Sequence, residues 1–123
     1  MREIKFRGKD IESGKWLFGS LVTHRDDTAF LADGFIQSQV DPQTVGEFTG
    51  LQDINGVDIY EGDICIFSSD IQSSKFVVVW NVSKCGFDCV NPNDKSDGGA
   101  LWLDDLKVIG NIHDNPELLK EGD

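Results

Sequence analysis

Residues 45–67, VGEFTGLQDINGVDIYEGDICIF, decide how this chain folds. Two turn signals fall within a few positions of each other. Asn55 and Gly56 form a pair that accepts positive φ at both centre positions of a tight turn, so the chain is expected to reverse there. Glu61, Gly62 and Asp63 mark a second turn, with Gly62 taking a backbone shape that a side chain would disfavour and Asp63 accepting nearby N–H groups. Residues 64–67, ICIF, then leave as a β-branched and aromatic strand. A strand over 45–49 leads in. Turn, short strand, turn, apolar strand is the grammar of a small antiparallel β-structure.

The same grammar runs outward in both directions. Ile4 and Phe6 alternate with Lys5 and Arg7, a period of two that predicts a half-buried strand. A turn over 10–14 and a strand from Trp16 to about Thr23 complete a hairpin. Residues 29–31 and 35–36 read as short strands broken by Asp33 and Gly34. Residues 37–44, QSQVDPQT, read as a connecting loop. Downstream, 68–74 is a polar and mobile loop. Residues 75–82, KFVVVWNV, form the strongest strand, apolar enough for burial on both faces. Residues 85–90 form another strand, 91–99 (NPNDKSDGG) a turn-rich loop, and 108–112 a closing strand. Residues 101–106, LWLDDL, fit one helical turn or a short strand equally well. Asn115 as N-cap, Pro116 at the first helical position and Glu117 in the first turn predict a short C-terminal helix.

Three separated stretches carry a family resemblance. TGLQDINGVDIYEGDI at 49–64 resembles the signature TGLxDxNGxxIYEGDI of the YopX family, proteins encoded by bacteriophages and prophages. The opening MREIKFRGKD resembles that family's R-x-IKFR-x-x-D, and VIGNIHDNPELL at 108–119 resembles its closing VIGN-I-x-x-NPELL. The resemblance implies an all-β, SH3-like barrel core, a phage origin and no assigned activity. His113 stands where the resemblance suggests Tyr is common. Residue pattern and resemblance together predict an all-β chain. Residues 45–123 would supply the SH3-like barrel and C-terminal tail, and residues 1–44 a β-layer packed on it.

Composition narrows the function classes. With 123 residues and 39% hydrophobic content the chain can bury a core of its own, and no run is long or apolar enough for a membrane span. The start lacks the apolar core of a signal segment, which predicts a soluble protein of the bacterial host cytoplasm. Net charge is −11, unevenly placed. Residues 1–20 hold Arg2, Lys5, Arg7, Lys9 and Lys15 against Glu3, Asp10 and Glu12, whereas residues 26–74 hold ten Asp and Glu and no Lys or Arg. Such a surface repels phosphate, so direct nucleic-acid binding is disfavoured.

No motif carries catalysis. Three Cys with no dense spacing do not make a disulfide scaffold. On one strand Cys85 and Cys89 would share a face about 13 Å apart, too far for one metal ion. With Cys65 they read as buried thiols acting as small hydrophobes, and neither His24 nor His113 completes a zinc set. Asp53, Asp58, Glu61 and Asp63 could gather around the central turns, but their spacing is not that of an EF-hand, and capping of turns is the simpler reading. Nucleophile elbow, P-loop and dinucleotide fingerprint are all missing. Trp16, Trp80, Trp102 and Tyr60 are expected mainly in the core, with at most one or two lining a groove.

No catalytic, cofactor or metal residue is therefore assigned. Asn55, Gly56, Gly62 and Asp63 are singled out as structural turn residues. The sequence favours a non-enzymatic phage accessory protein that works through protein–protein contacts as a homo-oligomer. An acidic mimic of nucleic acid, occupying a host DNA- or RNA-binding protein, is the alternative, and a carboxylate–metal hydrolase the remote third. One route to assembly is electrostatic, with Arg2, Lys5 and Arg7 of one subunit meeting the acidic stretch of the next.

Overall fold

A computed structural model describes residues 3–69, 72, 74–101 and 105–120. The chain is all-β, with antiparallel ladders and two short turns of 3-10 helix. It divides into two compact units, Met1–Gly50 and Leu51–Asp123.

The first unit holds β1 (Phe6–Lys9), β2 (Trp16–Thr23), β3 (Ala29–Asp33), β4 (Ile36–Val40) and the start of β5 (Gly46–Gln52), in the order β4-β3-β2-β1-β5. Alternation sorts the side chains. Gly8 faces Leu17, and Leu31 faces both Leu21 and Ser38, so one face collects the apolar residues. Ala29, Leu31 and Val40 are buried there, with Phe6, Leu17, Leu21 and Val45 packed around them. Gly8 is small for a reason: a Cβ on it would lie 3.1 Å from the Val40 side chain. A lone bridge between Asp10 and Val40 draws the end of β4 toward the end of β1.

Residues 36–40 are a strand, not the first half of a connecting loop. The period of two was present in Ile36, Ser38 and Val40, but weak β-formers masked it, and the two-residue turn at Gly34 and Phe35 fixes its pairing with β3. Only Pro42–Thr44 is irregular, a 3-10 turn capped by the Asp41 side chain.

In the second unit, the end of β5 neighbours β6 (Asp58–Tyr60). β7 (Asp63–Phe67), β8 (Phe76–Asn81), β9 (Gly86–Asn91), β10 (Asp94–Ala100) and β11 (Leu106–Asn111) form a sheet in the order β10-β9-β8-β7-β11. Among the described residues this sheet ends in β10 on one side and β11 on the other, and no closed barrel forms where the sequence predicts an SH3-like one, from about residue 45. Ile59, Cys65, Val78 and Leu106 make its core. β8 is central, which is why its apolar run is buried at Phe76, Val77 and Val78. Burial stops at Trp80, which is exposed and packs edge-on against Phe87.

Two further expectations change. Residues 94–100 extend as β10 instead of looping, with a shift in register between Asp94 and Gly98 that accommodates the glycines. The C-terminal segment is one 3-10 turn, Pro116–Leu119; Asn115 precedes it without a side-chain cap, which leaves a longer helix nothing to start from. Residues 102–104, with Trp102, and the loop positions Asp70, Ile71 and Ser73 lie outside the described residues. Among the described residues no helix is long and apolar enough to cross a membrane.

Leu106 is fully buried in the second core. Leu106→Ala should cost about 2–5 kcal/mol, read as a lower urea midpoint at unchanged slope.

Candidate functional site

The central turns resolve into specific hydrogen bonds. Asp53 is buried, and its Oδ1 accepts the N–H groups of Asn55 at 2.8 Å and Val57 at 3.0 Å. Its Oδ2 accepts Val108 N–H, on β11, at 2.9 Å. Burial opposes ionisation of this carboxyl, but the three backbone donors outweigh it, with Lys107 assisting, and hold it below the usual carboxylate range. Gly56 N–H donates to Asp53 O at 3.0 Å and Asp53 N–H to Val57 O at 2.8 Å. The reversal is thus a three-residue loop with a bulge at Gly56, φ 79°, and Asn55 keeps negative φ. The expected two-residue turn, left-handed at both Asn55 and Gly56, is corrected: Asp53 supplies the acceptor that organises the longer loop.

The second turn is as tightly held. Asp63 is buried and its Oδ2 accepts Tyr60 N–H at 2.7 Å. Gly62, φ 92°, donates to Val78 O at 2.8 Å and accepts Ile112 N–H at 2.9 Å. Asp58 accepts the Gln52 side-chain amide at 3.1 Å. These carboxylates therefore serve turns and strands, and among the described residues no three His, Cys, Asp or Glu side chains gather as metal ligands.

The thiols part company. Cys65 and Cys89 are buried, and burial first, then the nearby Asp63 and Cys89, pushes the Cys65 thiol up to about 12. Cys85 is exposed, in a turn with φ 54°, because β9 starts only at Gly86; it shares no strand face with Cys89. His24 stacks edge-on with Phe30, and His113 N–H is bonded to the Asn111 side chain at 3.0 Å. Ser68 and Ser69 are tied to Asp105, so the loop expected to be mobile is anchored at its start.

The basic N-terminal residues are engaged within their own unit. β1 pairs with β2 on one side and β5 on the other, so it has no free edge. Arg7 is only 8% exposed, its guanidinium 4.7 Å from the Trp16 ring centre. Lys9 approaches the same ring at 5.3 Å, and Lys5 lies over Phe48 at 4.7 Å. Arg2 lies outside the described residues.

What the sequence did not disclose is a groove in the first unit, about 330 Å3. Trp16, Leu17 and Phe18 line it from β2, Asp33 from the end of β3, and Ile36 and Ser38 from β4. Trp16, held by two cations, makes a fixed wall. Phe18 is 51% and Ile36 70% exposed, and Phe35 on the adjoining turn is fully exposed. Phe18 and Ile36 line the groove and Phe35 adjoins Ile36 in the chain, so three large apolar side chains are left in solvent here. The clue was Gly34-Phe35 as a two-residue turn, which leaves Phe35 no core to enter.

The family model for YopX protein matches residues 5–120. The chain belongs to the YopX family. The crystal structure of protein EF1440 from Enterococcus faecalis is similar to this chain over 98% of its length and 100% of that chain, with a TM-score of 0.63 and 24% identity. At that identity the likeness is one of fold. No curated protein matches.

Two outcomes test the turns of this YopX-family chain. Gly62→Val should destabilise by about 1–3 kcal/mol, because a β-branched residue is strained at positive φ; coincident melts of the two proteins would refute the assignment. Asp53→Asn should cost about 1–3 kcal/mol, since the amide cannot accept at both oxygens. The native carboxyl lies below its unfolded value of about 3.9, so its contribution is present above that pH and fades as pH falls through the folded value. Thermal melts from pH 6 to pH 2 should show a flatter acid limb in Asp53→Asn than in the native protein.

Proposed function

We propose that this YopX-family chain is a non-enzymatic phage accessory protein of the host cytoplasm that acts through protein–protein contacts, as a homo-oligomer. The observation that carries this reading is the apolar surface of the first unit, with Phe18, Phe35 and Ile36 exposed beside a groove walled by Trp16. Chemistry has less support: Asp53 and Asp63, the carboxylates with most claim to a metal or an acid–base role, hold backbone N–H groups instead. The five antiparallel strands of the second unit are read as an opened relative of SH3-like barrels, a group that more often binds than catalyses.

A second reading keeps one observation of its own. Residues 26–74 lack any Lys or Arg, and Asp26, Asp27, Asp33 and Asp41 are exposed. A surface of that sign suits a mimic of nucleic acid that occupies a basic host protein.

Light scattering at low and high salt, paired with affinity purification from host lysate, separates the two. Self-association that persists at high salt is expected. A strict monomer at high protein concentration that retains a basic nucleic-acid-binding protein, and releases it as salt rises, would replace the first reading by the second.

A further inference from the structure

Residues 34–40, GFIQSQV, are uncharged in a chain of net charge −11. They include β4, the outermost strand of the first unit's sheet, paired only with β3 along its ladder. Part of its other edge is occupied. Ile11 N–H donates to Gln39 O at 3.2 Å, and Asp41 N–H to Lys9 O at 2.8 Å. Backbone groups alternate sides along an antiparallel strand. Gln37, two residues before Gln39, therefore points its N–H and C=O outward as well, and there no further strand follows among the described residues. An open edge flanked by exposed apolar side chains is a template for another strand.

We propose that the free half of β4 is the contact with a second copy of this chain, the two strands pairing antiparallel about Gln37 across a two-fold axis. The inference rests on the homo-oligomer reading above and names its surface. Two copies repel through their net charge, and the approach is least opposed where the surface carries none. A two-fold contact needs a self-complementary patch, and this edge is one. Pairing about Gln37 makes two reciprocal N–H···O=C bonds. It sets Ile36 beside Ser38 of the second copy, at the mouth of the groove that both residues line. It also carries Phe35 toward Ile11 of the second copy, itself exposed, where the bond from Ile11 to Gln39 ends the ladder. The contact is short and holds no ion pair, and the exposed Asp33 and Asp41 bound it, so salt, which screens the repulsion between copies, does not loosen it, unlike an ion-pair contact through β1.

Light scattering on the full chain and two variants tests it. Gln37→Pro removes the outward N–H and leaves the β3–β4 ladder its bonds, since Pro is tolerated on an edge with its nitrogen facing out. Ile36→Lys places a charge at the contact from a side chain that is already 70% exposed. The native protein is expected to reach twice the 13.6 kDa of one chain with rising concentration, and no less at high salt than at low salt. Ile36→Lys should remain at the mass of one chain with its melting temperature unchanged, and Gln37→Pro should do the same if it folds. Should Gln37→Pro unfold, Ile36→Lys decides. A native oligomer that folded Ile36→Lys leaves intact would overturn the β4 contact while keeping the homo-oligomer reading. A native protein that stays monomeric at high concentration would overturn both.

Discussion

A single buried carboxylate ties the second unit together. Asp53 satisfies two N–H groups in its own loop and a third on β11, 55 residues away in sequence. The donor on β11, at Val108, packs beside the core, where an unmet backbone N–H is costly, while the other two lie in an exposed reversal that they help to shape. The loop is thereby fixed at both ends: Ile54 N–H donates to Leu106 O at 3.0 Å, next to the fully buried Leu106 side chain. The shape of the loop and its attachment to β11 therefore rest on one ionised group, while the ladder with β7 places β11 itself.

Asp53 is the deepest instance of a habit repeated along the chain. Asp10, Asp26, Asp41 and Asp94 each accept the N–H two residues ahead, and Asn81, Asn91 and Asn111 do the same. A chain of short strands needs many reversals, and Asp and Asn fold such reversals locally. Part of the acidic composition is thus a consequence of turn chemistry. Within residues 26–74, Asp26, Asp41 and Asp53 have a structural reason beside any role in binding.

β1 lies inside its sheet, between β2 and β5. Lys5, Arg7 and Lys9 lie over Phe48 and Trp16, contacts that favour cations held against rings over cations offered to another molecule. Beside its exposed carboxylates the first unit also offers apolar groups outward: Phe35 and Ile36 on the hairpin of β3 and β4, and the groove beside them.

The sequence by itself determined the all-β class, the family, the position of both central turns and the burial of the first half of β8. These follow from side-chain period and turn residues, which act over a few positions. Only the tertiary structure decided the rest. The strand at 36–40 exists because β3 offers it a ladder, and its own Gln and Ser residues gave little sign of it. Asn55 stays at negative φ because Asp53 reaches a donor on β11, a partner no local rule could name. Cys85 leaves the strand that Cys89 occupies because the turn before β9 runs one residue further than its pattern suggests. The groove is assembled from three strands whose order in space is set by pairing. Period and turn chemistry are local, whereas pairing, burial and open edges belong to residues far apart in sequence, and it is these that shape the candidate site.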